Sequence, residues 1–192
     1  MRHGLPERDD HSHDPSLSAV GRRQAEATAA FLAGERVDHV VASPLARAQE
    51  TAQPLAETLG LSIETVAGLA EIDPFAGAYV PSEQMELDHP VTEAFLDDKF
   101  SLFDRAGGFE AFRTGVRDAF DGVIDRNRGR VVAVFCHGMV MGSYLTTLLG
   151  HDDPFVLQAD YCGISRLRAA SNGIRTALSA NETGHLRDLT DP

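Results

Sequence analysis

Val131-Val132-Ala133-Val134-Phe135-Cys136-His137-Gly138 is the stretch on which the fold turns. An unbroken apolar run of this length, rich in β-branched residues, suits a strand buried on both faces, and such strands belong to parallel sheets covered by helices. Met139 to Leu149 continues as an apolar helix, so His137 and Gly138 stand at the C-terminal end of the strand. A second unit of the same kind lies upstream. Val37 to Ala42 is a short β-branched run, Ser43-Pro44-Leu45-Ala46-Arg47 follows it, and a helix opened by Pro44 runs to Gly60, with Pro54 expected to kink or divide it. Before that unit, Ser18 is a good N-cap, and Ala25, Ala29, Phe31 and Leu32 recur at helical spacing up to Gly34. Ser62 to Val66 reads as a strand and Phe109 to Arg126 as an amphipathic helix. Tyr161 to Arg168 and Gly173 to Ser179 read as two strands joined by a turn at Ser171-Asn172-Gly173. The alternation predicts an α/β sheet with both histidine- and arginine-bearing segments at strand C-terminal ends, where open α/β sheets place ligands.

Composition limits the partners. The 192 residues, 43% hydrophobic and 24% charged, fit a single domain with a sizeable core. A formal charge of −12 opposes binding to nucleic acid or to anionic membranes, so any anion pocket must be local. Cys136 and Cys162 sit in apolar runs and read as small buried hydrophobes rather than a disulfide framework. No stretch approaches the roughly 20 apolar residues of a membrane span, and the N-terminus is polar and acidic where a signal peptide is basic and then apolar. The expectation is a cytoplasmic protein with neither a nucleic acid nor a membrane as partner. Residues 5 to 16, charged and carrying two prolines, form a loop. Within it, His11-Ser12-His13-Asp14 lacks the accompanying Cys or His-x-x-His spacing of a metal site, and no metal is assigned.

The chemistry lies in Arg2-His3-Gly4, Ser43 to Arg47, and His137-Gly138. A neutral imidazole is a competent nucleophile near pH 7. Two guanidiniums can grip phosphate oxygens with bidentate, charge-assisted hydrogen bonds, and a second histidine can donate to the same oxygens. Together these residues point to phosphoryl transfer through a histidine. The order Arg-His-Gly, Ser-Pro-Leu-x-Arg, His-Gly resembles the histidine phosphatase superfamily, which includes cofactor-dependent phosphoglycerate mutases and the bisphosphatase domain of the bifunctional fructose-2,6-bisphosphate enzyme. The resemblance runs nearly the whole chain. It implies a three-layer sandwich with a mostly parallel central sheet and helices on both faces, forming one domain over residues 1 to 192. It also implies His3 as nucleophile with its second nitrogen on the Gly4 carbonyl, Arg2 and Arg47 as phosphate clamps, and His137 as a donor to a phosphoryl oxygen. Leu69-Ala70-Glu71-Ile72-Asp73, followed by Gly77, resembles the segment that supplies the family's acid. Glu71 would protonate the leaving oxygen and later activate water, which requires a carboxyl pKa raised toward neutrality; Asp73 is its rival. Leu17-Ser18 with Gly21 and Gln24-Ala25 matches the family's helix-opening pattern, making Ser18 both a helix cap and a candidate phosphate-binding hydroxyl. The route needs no cofactor.

The chain departs from the family pattern in three places. The Thr and Asn that usually follow Arg-His-Gly are replaced by Leu5-Pro6-Glu7-Arg8, so one phosphate contact is lost or comes from another residue such as Arg8. Family members carry a central strand of about half a dozen apolar residues before Arg-His-Gly, and here only Met1 precedes it. At ~1.5–3 kcal/mol per buried Val or Ile, losing three or four inward residues removes roughly 5–10 kcal/mol, comparable to a whole domain's stability. The expectation is that Met1 is internal to the natural reading frame or that a first core strand has been lost. The third departure lies in residues 74 to 108, which match the family's cap insertion. This segment carries Phe75, Tyr79, Met85, Phe95, Phe100 and Phe103 with Glu83, Glu86, Asp88, Glu93, Asp97 and Asp98, but only Lys99 and Arg105 as bases. The adjacent arginine pair that the family's mutases use for bisphosphoglycerate is absent. The expected activity is hydrolysis of a small phosphomonoester metabolite. Alternatives are a phosphoglycerate mutase-like transferase and a catalytically silent phosphate-binding or regulatory module; a homodimer is compatible with each.

Overall fold

The computed structural model describes residues 1–9, 12–72 and 88–189. The first helix, α1 (Ala19–Ala33), begins where its cap predicts: the Ser18 hydroxyl accepts from the Gly21 N–H at 3.0 Å, and Gly34 closes the helix. Strand β1 (His39–Ala42) follows, then α2 (Ala46–Leu59) and β2 (Ile63–Thr65). Pro44 does not open α2; Leu45 is its N-cap and the helix starts at Ala46. Pro54 does not divide it either. Ala48, Ala52, Leu55 and Ala56 form one buried face, and the hydroxyls of Thr51 and Thr58 bond the carbonyls one turn back, so packing outweighs the missing N–H. After α3 (Pro90–Asp98) come α4 (Phe109–Arg126), β3 (Val132–Phe135) and α5 (Gly138–Leu148). The antiparallel hairpin β4 (Ile164–Ala169) and β5 (Arg175–Glu182) follows, its turn using Gly173 at φ 91°, and a short 3-10 helix (Gly184–Leu189) comes after it.

The sheet order is β2-β1-β3, all parallel, with Val41 opposite Val134 and Ala42 opposite Phe135. Alternation along β1 sorts the core into two halves. Val40 and Ala42, with Ala133 and Phe135, pack against Leu32 of α1 and Leu55 of α2; Val41 and Cys136 pack against Phe120 of α4 and Tyr144 of α5. The result is an α/β sandwich of three layers with helices on both faces. No helix among the described residues is long and apolar enough to cross a membrane.

Met1, Arg2 and His3 enter this sheet as a short strand stub. Arg2 bridges Cys136 in parallel, Cys136 N donates to Met1 O and His3 N to Cys136 O, both at 2.9 Å. On the other side, Cys162 N donates to the carbonyls of Arg2 and His3. The stub thus ties β3 to the start of β4. Alongside Met1, β3 and β4 flank a cavity of ≈ 520 Å³ lined by Val132, Val134, Ile164 and Leu167, with Leu145 beneath. Val132 and Val134, expected to be fully buried, are only partly so because their side of the strand meets this space. The Met1 ammonium donates to Val134 O at 2.7 Å beside these apolar walls.

Candidate active site

Three strand ends and two helix N-termini meet around His3. Its backbone is fixed by the stub pairing just described, and Gly4 then turns the chain against α1. A Cβ on Gly4 would lie 2.6 Å from the Gly21 carbonyl oxygen, and one on Gly21 only 2.0 Å from that of Leu5, so the spacing of these glycines is set by direct backbone contact. Gly4 N donates to Thr51 Oγ1 of α2, and Leu5 N to Gln24 Oε1 of α1. His3 is 2% exposed. Its Nδ1 lies 2.8 Å from Gly4 O, which places the proton on Nδ1 and leaves Nε2 unprotonated. That nitrogen receives the Nε–H of Arg47 at 3.3 Å.

Arg47, in the first turn of α2 and 2% exposed, also donates through Nη1 to His13 O at 3.1 Å and Asp14 Oδ1 at 3.3 Å. Asp14 holds the same helix end, with both carboxylate oxygens accepting from Ala46 N. Arg2 stacks its guanidinium 3.7 Å above the Tyr161 ring and donates Nη1 to Ala159 O at 2.8 Å. Its buried Nε has no hydrogen-bond partner among the described residues. His137, fully buried at the end of β3, lies with its ring centroid 5.0 Å from that of His3. Its Nε2 meets Ser43 Oγ at 2.7 Å, while its buried Nδ1 has no partner among the described residues. Two buried nitrogens without partners among the described residues, next to the Arg47 guanidinium and the unprotonated His3 Nε2, make a receptor for an anion.

Glu71 completes the cluster from the segment after β2. Its Oε2 accepts from Met139 N at 3.0 Å, in the first turn of α5, and its Oε1 from Ile72 N at 3.1 Å. Desolvation pushes its carboxyl pKa up, against these hydrogen bonds and the charges of Arg47 and Arg2. Asp73 lies outside the described residues. Ser18 is not drawn into the cluster. Its hydroxyl donates to Leu5 O at 2.9 Å and accepts from Gly21 N, so both capacities are spent on the helix start and the loop. Arg8 is exposed, and Asp14, first weighed with His11 and His13 as a metal cluster, is engaged with α2 and Arg47. The described residues contain no grouping of three metal-type ligands. Asp14, Ser43, Thr51 and Tyr161 are the site residues that sequence reasoning missed as such; only Ser43, inside a quoted motif, gave a signal.

Burial and the two guanidiniums hold the pKa of both His3 and His137 well below that of free histidine, burial contributing most. Both rings are neutral in the fold at a pH where an unfolded chain, with histidines near 6.5, takes up protons. Their contribution to stability is therefore complete above about pH 6.5 and is lost as pH falls toward the depressed folded values, by up to ~1.4 kcal/mol per pH unit for each ring. Between pH 7.5 and 5.5 the melting temperature of the wild type should drop further than that of His3→Gln, a comparison in which Glu71 cancels. Equal drops would mean that His3 titrates freely in the fold.

The chain matches the model of the histidine phosphatase superfamily (branch 1) over residues 1–182 and belongs to that family. The probable phosphoglycerate mutase GpmB of Yersinia enterocolitica is 27% identical over 139 residues, covering 71% of this chain and 65% of that protein. The chain thus spans less than two thirds of the length of this curated relative. Among solved structures, a phosphoserine phosphatase mutant from Entamoeba histolytica, in complex with phosphoserine, superposes with a TM-score of 0.77 at 23% identity, covering 96% of each chain. The mycobacterial glucosyl-3-phosphoglycerate phosphatase gives 0.75 at 21% identity, over 95% of this chain and 96% of that one. These two likenesses establish the shared fold.

Proposed function

We propose that the protein hydrolyses small phosphomonoesters through a phosphohistidine formed on His3. The observation that carries this reading is the unprotonated Nε2 of His3, kept so by the Nδ1–H···O=C bond to Gly4 and touched only by the Arg47 Nε–H, beside Arg2 and His137 nitrogens that have no hydrogen-bond partner among the described residues. A phosphoryl group centred there receives charge from Arg2 and Arg47 and a neutral hydrogen bond from His137, where charge develops in the transition state. Nε2 attacks phosphorus in line, the P–O bond to the leaving group breaks, and the leaving oxygen takes the proton of Glu71. The carboxylate then accepts a proton from water, the hydroxide attacks phosphorus, the N–P bond breaks, and inorganic phosphate leaves with Nε2 restored.

Hydrolysis is preferred to mutase chemistry because of the cap. A mutase must hold two phosphates and a carboxylate, yet of the lysine and arginine side chains in the described part of the cap, Lys99 is paired with Asp153 and Arg105 is exposed. Phe103 is fully buried against Phe109 and Phe112, which makes it core rather than a substrate contact; Phe95 and Phe100 stay partly exposed around Phe155. Phe75, Tyr79, Met85, Glu83 and Glu86 lie outside the described residues. Two free, buried cysteines support a cytoplasmic setting. The test is turnover of p-nitrophenyl phosphate and a panel of phosphorylated metabolites beside a bisphosphoglycerate-dependent assay of phosphoglycerate isomerisation. Hydrolysis without isomerisation supports the reading; isomerisation makes the protein a mutase, and silence in both assays makes it a binding module.

A further inference from the structure

Ser43 lies at the end of β1, fully buried, and is held by four hydrogen bonds that leave its side chain little choice. Its N–H donates to Phe135 O at 2.9 Å and its carbonyl accepts from Gln49 Nε2 at 2.6 Å. Its hydroxyl oxygen takes the Leu45 N–H at 3.3 Å and faces His137 Nε2 at 2.7 Å. A hydroxyl has one proton to give. With Leu45 already donating, the arrangement that satisfies every group is Ser43 O–H donating to a bare His137 Nε2. The neutral ring then carries its proton on Nδ1, the buried nitrogen without a partner among the described residues. The other tautomer would direct two donors at Ser43 Oγ, leave the serine proton unbonded, and turn a lone pair on Nδ1 toward an incoming anion. Either fault leaves a buried polar group without the partner its burial demands.

We infer that Ser43 is a positioning residue that fixes His137 as the Nδ1–H tautomer, so that its ring presents a donor to the phosphoryl group. This rests on the phosphatase reading for its functional consequence, whereas the tautomer itself is a property of the free protein. Neutrality has a use. A second histidine that took up a proton would lie beside Arg2 and Arg47, whose charges already depress its pKa, and beside the ring that must stay an unprotonated nucleophile.

The ring nitrogens of His137 can be read by proton–nitrogen correlation spectroscopy on ¹⁵N-histidine-labelled protein near pH 7.5, with His137→Asn assigning the signals. The wild type should show a protonated Nδ1 and a bare Nε2. Ser43→Ala should shift the ring toward Nε2–H, lower kcat/KM for p-nitrophenyl phosphate by roughly 10- to 100-fold, part of the effect of losing an oxyanion donor outright, and weaken inhibition by vanadate. Ser43→Thr, which keeps the hydroxyl, should retain the wild-type tautomer and most of the activity. In a His137→Asn background, Ser43→Ala should cost nothing more, because the two residues act as one unit. A wild-type ring protonated on Nε2, a tautomer indifferent to Ser43→Ala, or fully additive rate losses each overturn the inference. If Ser43→Ala fails to fold, the wild-type spectrum and Ser43→Thr still decide. A wild type with the expected tautomer and no phosphomonoester turnover would instead overturn the phosphatase reading and leave the role of Ser43 standing.

Discussion

His3→Ala is expected to abolish turnover while the protein stays folded. The imidazole supplies the bond that forms to phosphorus, and losing the nucleophile in covalent catalysis costs on the order of 10⁴–10⁶ in rate, the residue of activity coming from the remaining phosphate-binding groups. The fold should survive because the bonds that position residue 3 belong to its backbone: His3 N to Cys136 O, and Cys162 N to His3 O. What the substitution removes is a donor to Gly4 O, the acceptor of the Arg47 Nε–H, and ring contacts with His137 and Tyr161 at 5.0 and 5.7 Å between centroids. A carbonyl left short of a partner and a small void together cost a few kcal/mol, below the stability of an ordinary domain. The covalent step has its own signature. Wild-type protein quenched during turnover should carry acid-labile, base-stable phosphate, and the alanine variant none. Equal labelling of both would place the nucleophile on another residue, with His137 the first to test.

How far the site could be read from the chain depended on whether its contacts are local. α1 was legible because its cap, its apolar spacing and its terminal glycine all act within a few residues of one another. The Gly4 carbonyl beside His3 is equally local, but the resemblance to the family, not any spacing rule, pointed to it. Ser43 and His137 lie 94 positions apart, and Asp14 meets Arg47 across 33 positions. No spacing rule connects such pairs, so in the sequence Asp14 reads only as part of a histidine-rich loop. Pro54 shows the limit in the other direction. Its local chemistry predicts a break, yet α2 packs its buried face on the sheet through Ala52, Leu55 and Ala56 and continues. Val132 and Val134 looked fully buried because a run of β-branched residues does not reveal which neighbouring strand covers it. Here the Met1–His3 stub covers only the last part of β3, and the cavity takes the rest.

Glu71→Gln should show its largest loss with alkyl phosphates and its smallest with p-nitrophenyl phosphate in the first chemical step. An alkoxide needs a proton as it departs, and general acid catalysis is worth ~10²–10⁴ in rate; a phenolate of low pKa leaves nearly unaided. The assignment has a structural reason. Desolvation raises the Glu71 carboxyl pKa, so a proton is held at higher pH than on an exposed glutamate, while the Met139 and Ile72 amides fix the oxygens in place. Glutamine keeps the volume and can accept from Met139 N through its carbonyl oxygen, while its NH2 then opposes the Ile72 N–H, a cost common to every substrate, so it is the dependence on leaving group that reports on the proton. The second step also needs the residue, now as the base for water. With p-nitrophenyl phosphate the variant should therefore release a burst of nitrophenolate, about one equivalent per site, and then stall with phosphate on His3. Steady-state rates alone would hide this contrast, which makes single-turnover measurement the deciding one. Asp73→Asn, run in parallel, takes over the role if it alone shows the dependence on leaving group. Should neither variant show it, the proton comes from elsewhere, and the geometry around His3, Arg2, Arg47 and His137 is untouched by that result, because none of it passes through the carboxyl.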